Sequence, residues 1–151
     1  MNTKKIGNIG EAKVLASFVE LGIPVYLPFG DNERVDLIAE FDNKLNRIQI
    51  KTALKAENGV VKFDVTSSTA HRKQGVKHKY TSDEIDYFAL YSIARDKVYL
   101  VCNDFETPPS AINIRYELPK NNQTKGIRFE GDYLLKNVLC VETLHEAPKD
   151  E

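Results

Sequence analysis

The sequence predicts a mixed β-sheet flanked by helices, of α/β or α+β type. Three observations carry that expectation: an amphipathic segment opens the chain, a series of short runs rich in β-branched and aromatic residues follows, and a helix-like segment returns near the end. The chain has 151 residues, 42% of them hydrophobic and 28% charged, which supports one core and is too short for two ordinary domains. A single domain over residues 1–151 is therefore expected. No internal repeat or low-complexity tract interrupts it.

Each element has its own signal. Over residues 4–21, Ile6, Ile9, Ala12, Leu15, Phe18 and Val19 fall on one helical face, and Gly22 before Ile23 and Pro24 is a stop. Residues 25–29 form a short apolar run, and Gly30, Asp31 and Asn32 supply turn chemistry. Residues 34–41 and 47–54 read as strands around Asp42, Asn43 and Lys44, and residues 60–66 alternate as a third, which predicts an antiparallel meander. Residues 67–82 are polar and basic with no clear period, and are expected to form a long loop. Residues 86–93 and 97–102 flank Ala94, Arg95 and Asp96 as a second hairpin. After Pro108 and Pro109, residues 111–118 suit an edge strand, residues 119–126 a polar turn and residues 132–138 a short helix, with fraying from Ala147.

Several function classes fall away. No apolar run approaches the roughly 20 residues that a membrane span needs, and no apolar signal-like stretch follows the opening MNTKK, so a cytoplasmic protein with no membrane partner is expected. Cys102 and Cys140 stand apart, without the spacing of a zinc site or a disulfide framework, and are expected as reduced thiols in strands. The net charge of -1 lacks the basic excess usual for nucleic-acid binding, but its distribution is uneven. Between Lys44 and Lys79 nine Lys and Arg stand against Glu57 and Asp64, whereas the last ten residues hold four acids and one Lys.

Three residue types in that frame point to chemistry. Glu11 lies four and seven residues before Leu15 and Phe18, so the expected helix aims a carboxylate toward the core, which is costly unless a cation or partner meets it. Gly7 and Gly10 just before it leave room for close approach. Asp36 interrupts an apolar strand, and a two-residue loop at 42–43 or 43–44 sets it opposite Gln49 or Lys51, with all three side chains on one face. An acid, an amide oxygen and a lysine beside an inward carboxylate form a pocket for a hard cation. Hydrolysis of a phosphodiester needs such a set: Mg²⁺ on Asp36 and Glu11, with the Ile50 carbonyl as a further oxygen ligand, activates water and stabilises charge, while Lys51 orients the water or the developing anion.

Gly10-Glu11, Val35-Asp36 and Gln49-Ile50-Lys51, in this order on helix, strand and strand, resemble the PD-(D/E)XK nuclease family. Residues 80–91, YTSDEIDYFALY, followed by residues 96–101, DKVYLV, are similar to the branch that includes a cyanobacterial group I intron-encoded homing endonuclease. The similarity spans about residues 5–102, leaving about 103–146 as a C-terminal elaboration. It implies a restriction-endonuclease-like core, catalytic residues Glu11, Asp36, Gln49 and Lys51, and a double-strand cut in DNA that depends on Mg²⁺ or on Mn²⁺ in its place. It also implies a homo-oligomer, dimer or dimer of dimers, since one active site cuts one strand. Two positions depart from the family pattern: Val35 stands for its Pro, and Gln49 for the acid of its acid-x-Lys triplet, which removes one negative charge from the metal site. A Holliday-junction resolvase of the same superfamily and a non-catalytic DNA-binding relative are the alternatives.

For DNA contact, residues 71–79 carry Arg72, Lys73, Lys77 and Lys79 with no acid among them. Lys120, Lys125 and Arg128 form a second basic group. His71 and His78 are expected to be solvated or phosphate-facing, and Tyr87, Tyr91 and Tyr99 to belong to the core and sheet surface.

Overall fold

The structure is a computed structural model that describes residues 1–30, 33–68 and 77–143. Its first element is α1 (Thr3–Glu20), capped by the Asn2 side chain, which accepts from the Lys5 N–H at 2.9 Å. The helix ends at Gly22, whose φ of 74° is the left-handed geometry that terminates helices. The buried stripe is Gly10, Val14 and Phe18, one turn apart each. That phase differs from the one expected, because Ala12 and Val19 are exposed and Val14 takes the centre. Glu11 is displaced with it: it is exposed at the rim of the helix and does not point into the core.

After β1 (Val25–Tyr26), β2 (Leu37–Phe41) and β3 (Lys44–Ala53) form the expected hairpin. Asp42 and Asn43, both at φ 55°, make its two-residue turn, one of the two loops the sequence allowed. Past β3 the chain leaves the sheet. β4 (Val60–Asp64) does not extend the meander but pairs with β9 (Ala111–Arg115) as a separate two-stranded layer. β5 (Thr66–Ser68) and β6 (Lys77–Lys79) form a short antiparallel arm that begins at the last residue of the expected third strand and runs into the stretch expected to be loop. The free edge of β3 is taken instead by β7 (Tyr87–Ser92), in parallel, and β8 (Lys97–Cys102) closes the second hairpin.

The five-stranded sheet thus runs β1-β2-β3-β7-β8, mixed in direction, in an α+β architecture. α2 (Glu130–Tyr133) and α3 (Leu135–Thr143) split the expected C-terminal helix, and Cys140, expected in a strand, lies on α3. The sheet separates two cores. On one face Val14 and Phe18 of α1 and Leu135 and Leu139 of α3 pack on Leu37, Ala39, Ile48 and Ile50. On the other, Val61, Phe63, Ile112 and Ile114 of the β4–β9 layer cover Phe88, Leu90 and Tyr99. Tyr91 and Tyr99 are buried and Tyr87 half-buried, as their strand spacing predicts. Among the described residues no helix is long and apolar enough to cross a membrane.

Candidate active site

The β2–β3 register sets Leu37 opposite Ile48, and the Asp36 N–H donates to the Ile48 carbonyl at 2.9 Å. Asp36 therefore stands at the mouth of β2, beside Gln49. Because side chains alternate, Leu37, Ile48 and Ile50 face α1, whereas Gln49 and Lys51 face the β4–β9 layer. One oxygen of Asp36, Oδ2, accepts from Gln49 Nε2 at 2.7 Å and from the Ile50 N–H at 2.8 Å. The hairpin thus brings Asp36, Gln49 and Lys51 together as expected. Glu11 arrives from the opposite layer: it shares a cleft with Asp36, Ile50, Leu27 and Leu37 at the open edge where β2 begins.

Close approach of α1 makes this meeting possible. Gly10 lies against Thr52 of β3, where a Cβ would sit 1.7 Å from Thr52 Oγ1. Only glycine lets the helix sit this deep one residue before the carboxylate.

Burial pushes the Asp36 carboxyl up to about 6; the Ile50 N–H and the Lys51 charge pull it down, and Glu11 raises it further. Burial likewise lowers the Lys51 ammonium, with Asp36 and Asp64 opposing the shift and Arg34 adding to it. Lys51 Nζ donates to the Thr66 carbonyl at 2.6 Å and lies 5.2 Å from the centre of the Tyr80 ring. Thr66 is held in turn by Asp64, which accepts from its N–H and hydroxyl.

The donor set suits an oxygen-seeking divalent cation. Glu11 and Asp36 supply two carboxylates to one cleft, and Gln49 Oε1 is buried without a hydrogen-bond partner, a lone pair that a cation would satisfy. The Ile50 N–H already points toward Asp36, so the carbonyl of that residue lies on the same edge of β3, beyond the end of β2. Among the described residues no three His, Cys, Asp or Glu side chains gather to hold a metal; the amide of Gln49 stands where a third acid would complete such a group.

The basic residues divide. Lys77 and Lys79 are exposed on β6, Lys77 paired with Asp64 at 3.5 Å, and His78 between them is half-buried; Arg72, Lys73 and His71 lie outside the described residues. Lys120 and Lys125 are exposed on the segment after β9. Arg128 is not free: its guanidinium packs 5.2 Å from the Phe105 ring and 6.0 Å from that of Tyr133, half-buried. The sequence reading passed over Arg34, which lies 4.6 Å from the Tyr80 ring and pairs with Glu84 at 2.7 Å. Its signal was its place two residues before Asp36.

No curated protein matches the chain. Among solved structures a bacterial homing endonuclease, I-Ssp6803I, is similar, with 18% identity and a TM-score of 0.73 over 99% of this chain and 100% of that one. At that identity the likeness is one of fold, and the fold is restriction-endonuclease-like. A sequence model of the PD-(D/E)XK endonuclease family matches residues 1–136, past residue 102 where the motif resemblance ended. The chain belongs to the PD-(D/E)XK endonuclease family.

Proposed function

We propose that the protein is a Mg²⁺-dependent endonuclease that hydrolyses phosphodiester bonds in double-stranded DNA, acting at a specific site as a homing endonuclease. The observation that supports this most is the meeting of Asp36, Gln49 and Lys51 on one hairpin with Glu11 at its open edge. Glu11, Asp36 and the Ile50 carbonyl hold the cation, with Gln49 Oε1 as an added neutral donor. Mg²⁺, or Mn²⁺ in its place, supplies Lewis-acid stabilisation and a water acidic enough to react near neutral pH. The Gln49 amide and the Ile50 N–H fix the Asp36 carboxylate in one orientation, which presets the site before substrate arrives. Lys51, already short of solvation, exchanges its bond to the Thr66 carbonyl for the attacking water or the developing phosphate charge.

Lys77, Lys79, Arg72 and Lys73, with Lys120 and Lys125 after β9, supply phosphate contacts, and Arg128, packed against the Phe105 and Tyr133 rings, is the least available of the basic residues for that role. One site cuts one strand, so a double-strand break calls for a homo-oligomer, dimer or dimer of dimers. The likeness to a homing endonuclease supports site-specific cutting.

The test incubates the protein with Mg²⁺ on a random duplex library, a plasmid and a four-way junction, and sequences the products. Recurrent cleavage at one duplex sequence is the expected result. Exclusive cutting of the junction identifies a Holliday-junction resolvase, and metal-independent binding with no cutting identifies a DNA-binding relative; either overturns the reading.

A further inference from the structure

Arg34 and Lys51 both lie against the ring of Tyr80, the guanidinium carbon at 4.6 Å and the ammonium at 5.2 Å from its centre. Tyr80 is itself 4% exposed, so its ring is a fixed contact shared by the two cations. Arg34 is 40% exposed at the side chain, and its Nε meets Glu84 Oε2 at 2.7 Å. The other oxygen of Glu84 is taken by its own turn, accepting from the Thr81 N–H at 3.2 Å and the Thr81 hydroxyl at 3.1 Å. Glu84 is thus held by its own turn as well as by Arg34, and the arginine can leave the pair without freeing the carboxylate.

A guanidinium has five N–H donors in a planar fork, and the pairing here occupies one edge of it. Both cations contact this one ring, Arg34 two residues before Asp36 in the chain and Lys51 across the hairpin from it, and Glu84 supplies the anion that Arg34 now meets. We propose that Arg34 and Lys51 form a phosphate clamp on Tyr80, in which the Arg34 fork takes non-bridging oxygens of the DNA backbone beside the scissile bond and Glu84 holds the arginine ready until DNA displaces it. The proposal rests on the DNA-cleaving reading above and adds to it a residue for the substrate. A guanidinium fork reaches two oxygens at once, so Lys at this position keeps the charge and loses the geometry.

The experiment measures binding of a random-sequence duplex by full-length protein in Ca²⁺ across a range of salt concentrations, beside single-turnover cleavage in Mg²⁺. Arg34→Gln is expected to weaken binding by about three- to tenfold and to reduce the log-log salt slope by about 0.9, the loss of one phosphate contact. Arg34→Lys keeps the slope and lowers the single-turnover rate. Glu84→Gln, which releases the arginine, tightens binding, whereas a pair that only stabilises the fold gives no gain. Parent-like affinity and slope in folded Arg34→Gln, or weaker binding in folded Glu84→Gln, overturns the clamp. A parent protein that binds duplex and never cuts it defeats the cleavage reading alone, since the slopes still judge Arg34; a parent that binds no DNA defeats both.

Discussion

Asp36 holds a half-buried carboxylate at a position where the surrounding strand is apolar, and its two hydrogen bonds converge on a single oxygen. The other oxygen has no partner among the described residues, which is the arrangement a cation completes. Asp36→Asn keeps the shape and an acceptor for the Ile50 N–H but removes the charge, so Mg²⁺-dependent cleavage is expected to fall by more than about 100-fold while the fold and duplex binding in Ca²⁺ persist. A cleavage assay, a gel shift and a circular dichroism spectrum check this together; near-parent cutting by folded Asp36→Asn places the site elsewhere. Gln49→Glu restores the missing charge and puts a second carboxylate where an amide now donates at 2.7 Å. Without metal that variant loses stability, and with metal it recovers more than the parent does. A Mg²⁺ titration of the melting temperature reads both effects, and an unchanged dependence on Mg²⁺ removes Gln49 from the metal site. Asp36, Gln49 and Lys51 were legible because strand alternation is strict and a two-residue turn leaves few registers. The exposure of Glu11 was not, since its phase depends on which helical face the sheet selects, and Val14, not Ala12, proved to lie in the core.

At the scale of elements, Gly10 decides how α1 sits on β3. Gly10→Ala sets a methyl 1.7 Å from Thr52 Oγ1 and 2.9 Å from its Cβ, so helix or strand must shift. The expected cost is about 1–3 kcal/mol by urea unfolding, together with lower cleavage, because Glu11 moves with the helix. Alanine at parent stability would show that the two elements already separate freely. The four cations of residues 71–79 are expected to supply affinity and not chemistry. Replacing Arg72, Lys73, Lys77 and Lys79 by Ala weakens binding to every sequence and lowers the salt slope by up to about one unit per lost contact; an unchanged slope excludes these residues from the interface. Most elements could be read from local patterns, whereas the partnership of β4 could not. Its alternating burial suits either a sheet edge or a separate two-stranded layer, and the choice was made by β7, whose unbroken apolar run YFALY is the mark of a strand covered on both faces. Once β7 takes the edge of β3 in parallel, β4 must find another partner and meets β9.

For the molecule as a whole, that parallel β3–β7 pairing joins segments far apart in sequence, and one ion pair marks its entrance. Asp86, immediately before β7, accepts from the Arg47 backbone N–H at 2.8 Å and from its side-chain Nε and terminal nitrogen at 3.1 and 3.0 Å. The Arg47 side chain also donates to the carbonyls of Ser82 and Asp83, fixing the turn that precedes β7. The side-chain hydrogen bonds from Arg47 hold the Asp86 carboxyl below its ordinary value of 3.8, with burial opposing and the Arg47 N–H and charge assisting. A carboxyl depressed in the folded state binds its proton more readily when unfolded. Its stabilisation is therefore fully present above the unfolded value, and is lost as pH falls from about 4 through the lower folded value. The two side chains are 35% and 34% exposed, so solvent screens the pair, and its contribution is on the order of 1–2 kcal/mol. Asp86→Asn turns an acceptor of three donors into an amide whose NH₂ opposes the guanidinium. Urea unfolding at pH 7 is expected to show that deficit in full, and unfolding at pH 2.5 to show less of it, because proton uptake by the unfolded chain below about 4 offsets the pair. An equal deficit at both pH values would mean that Asp86 holds β3 to β7 by shape alone and that the ion pair adds nothing.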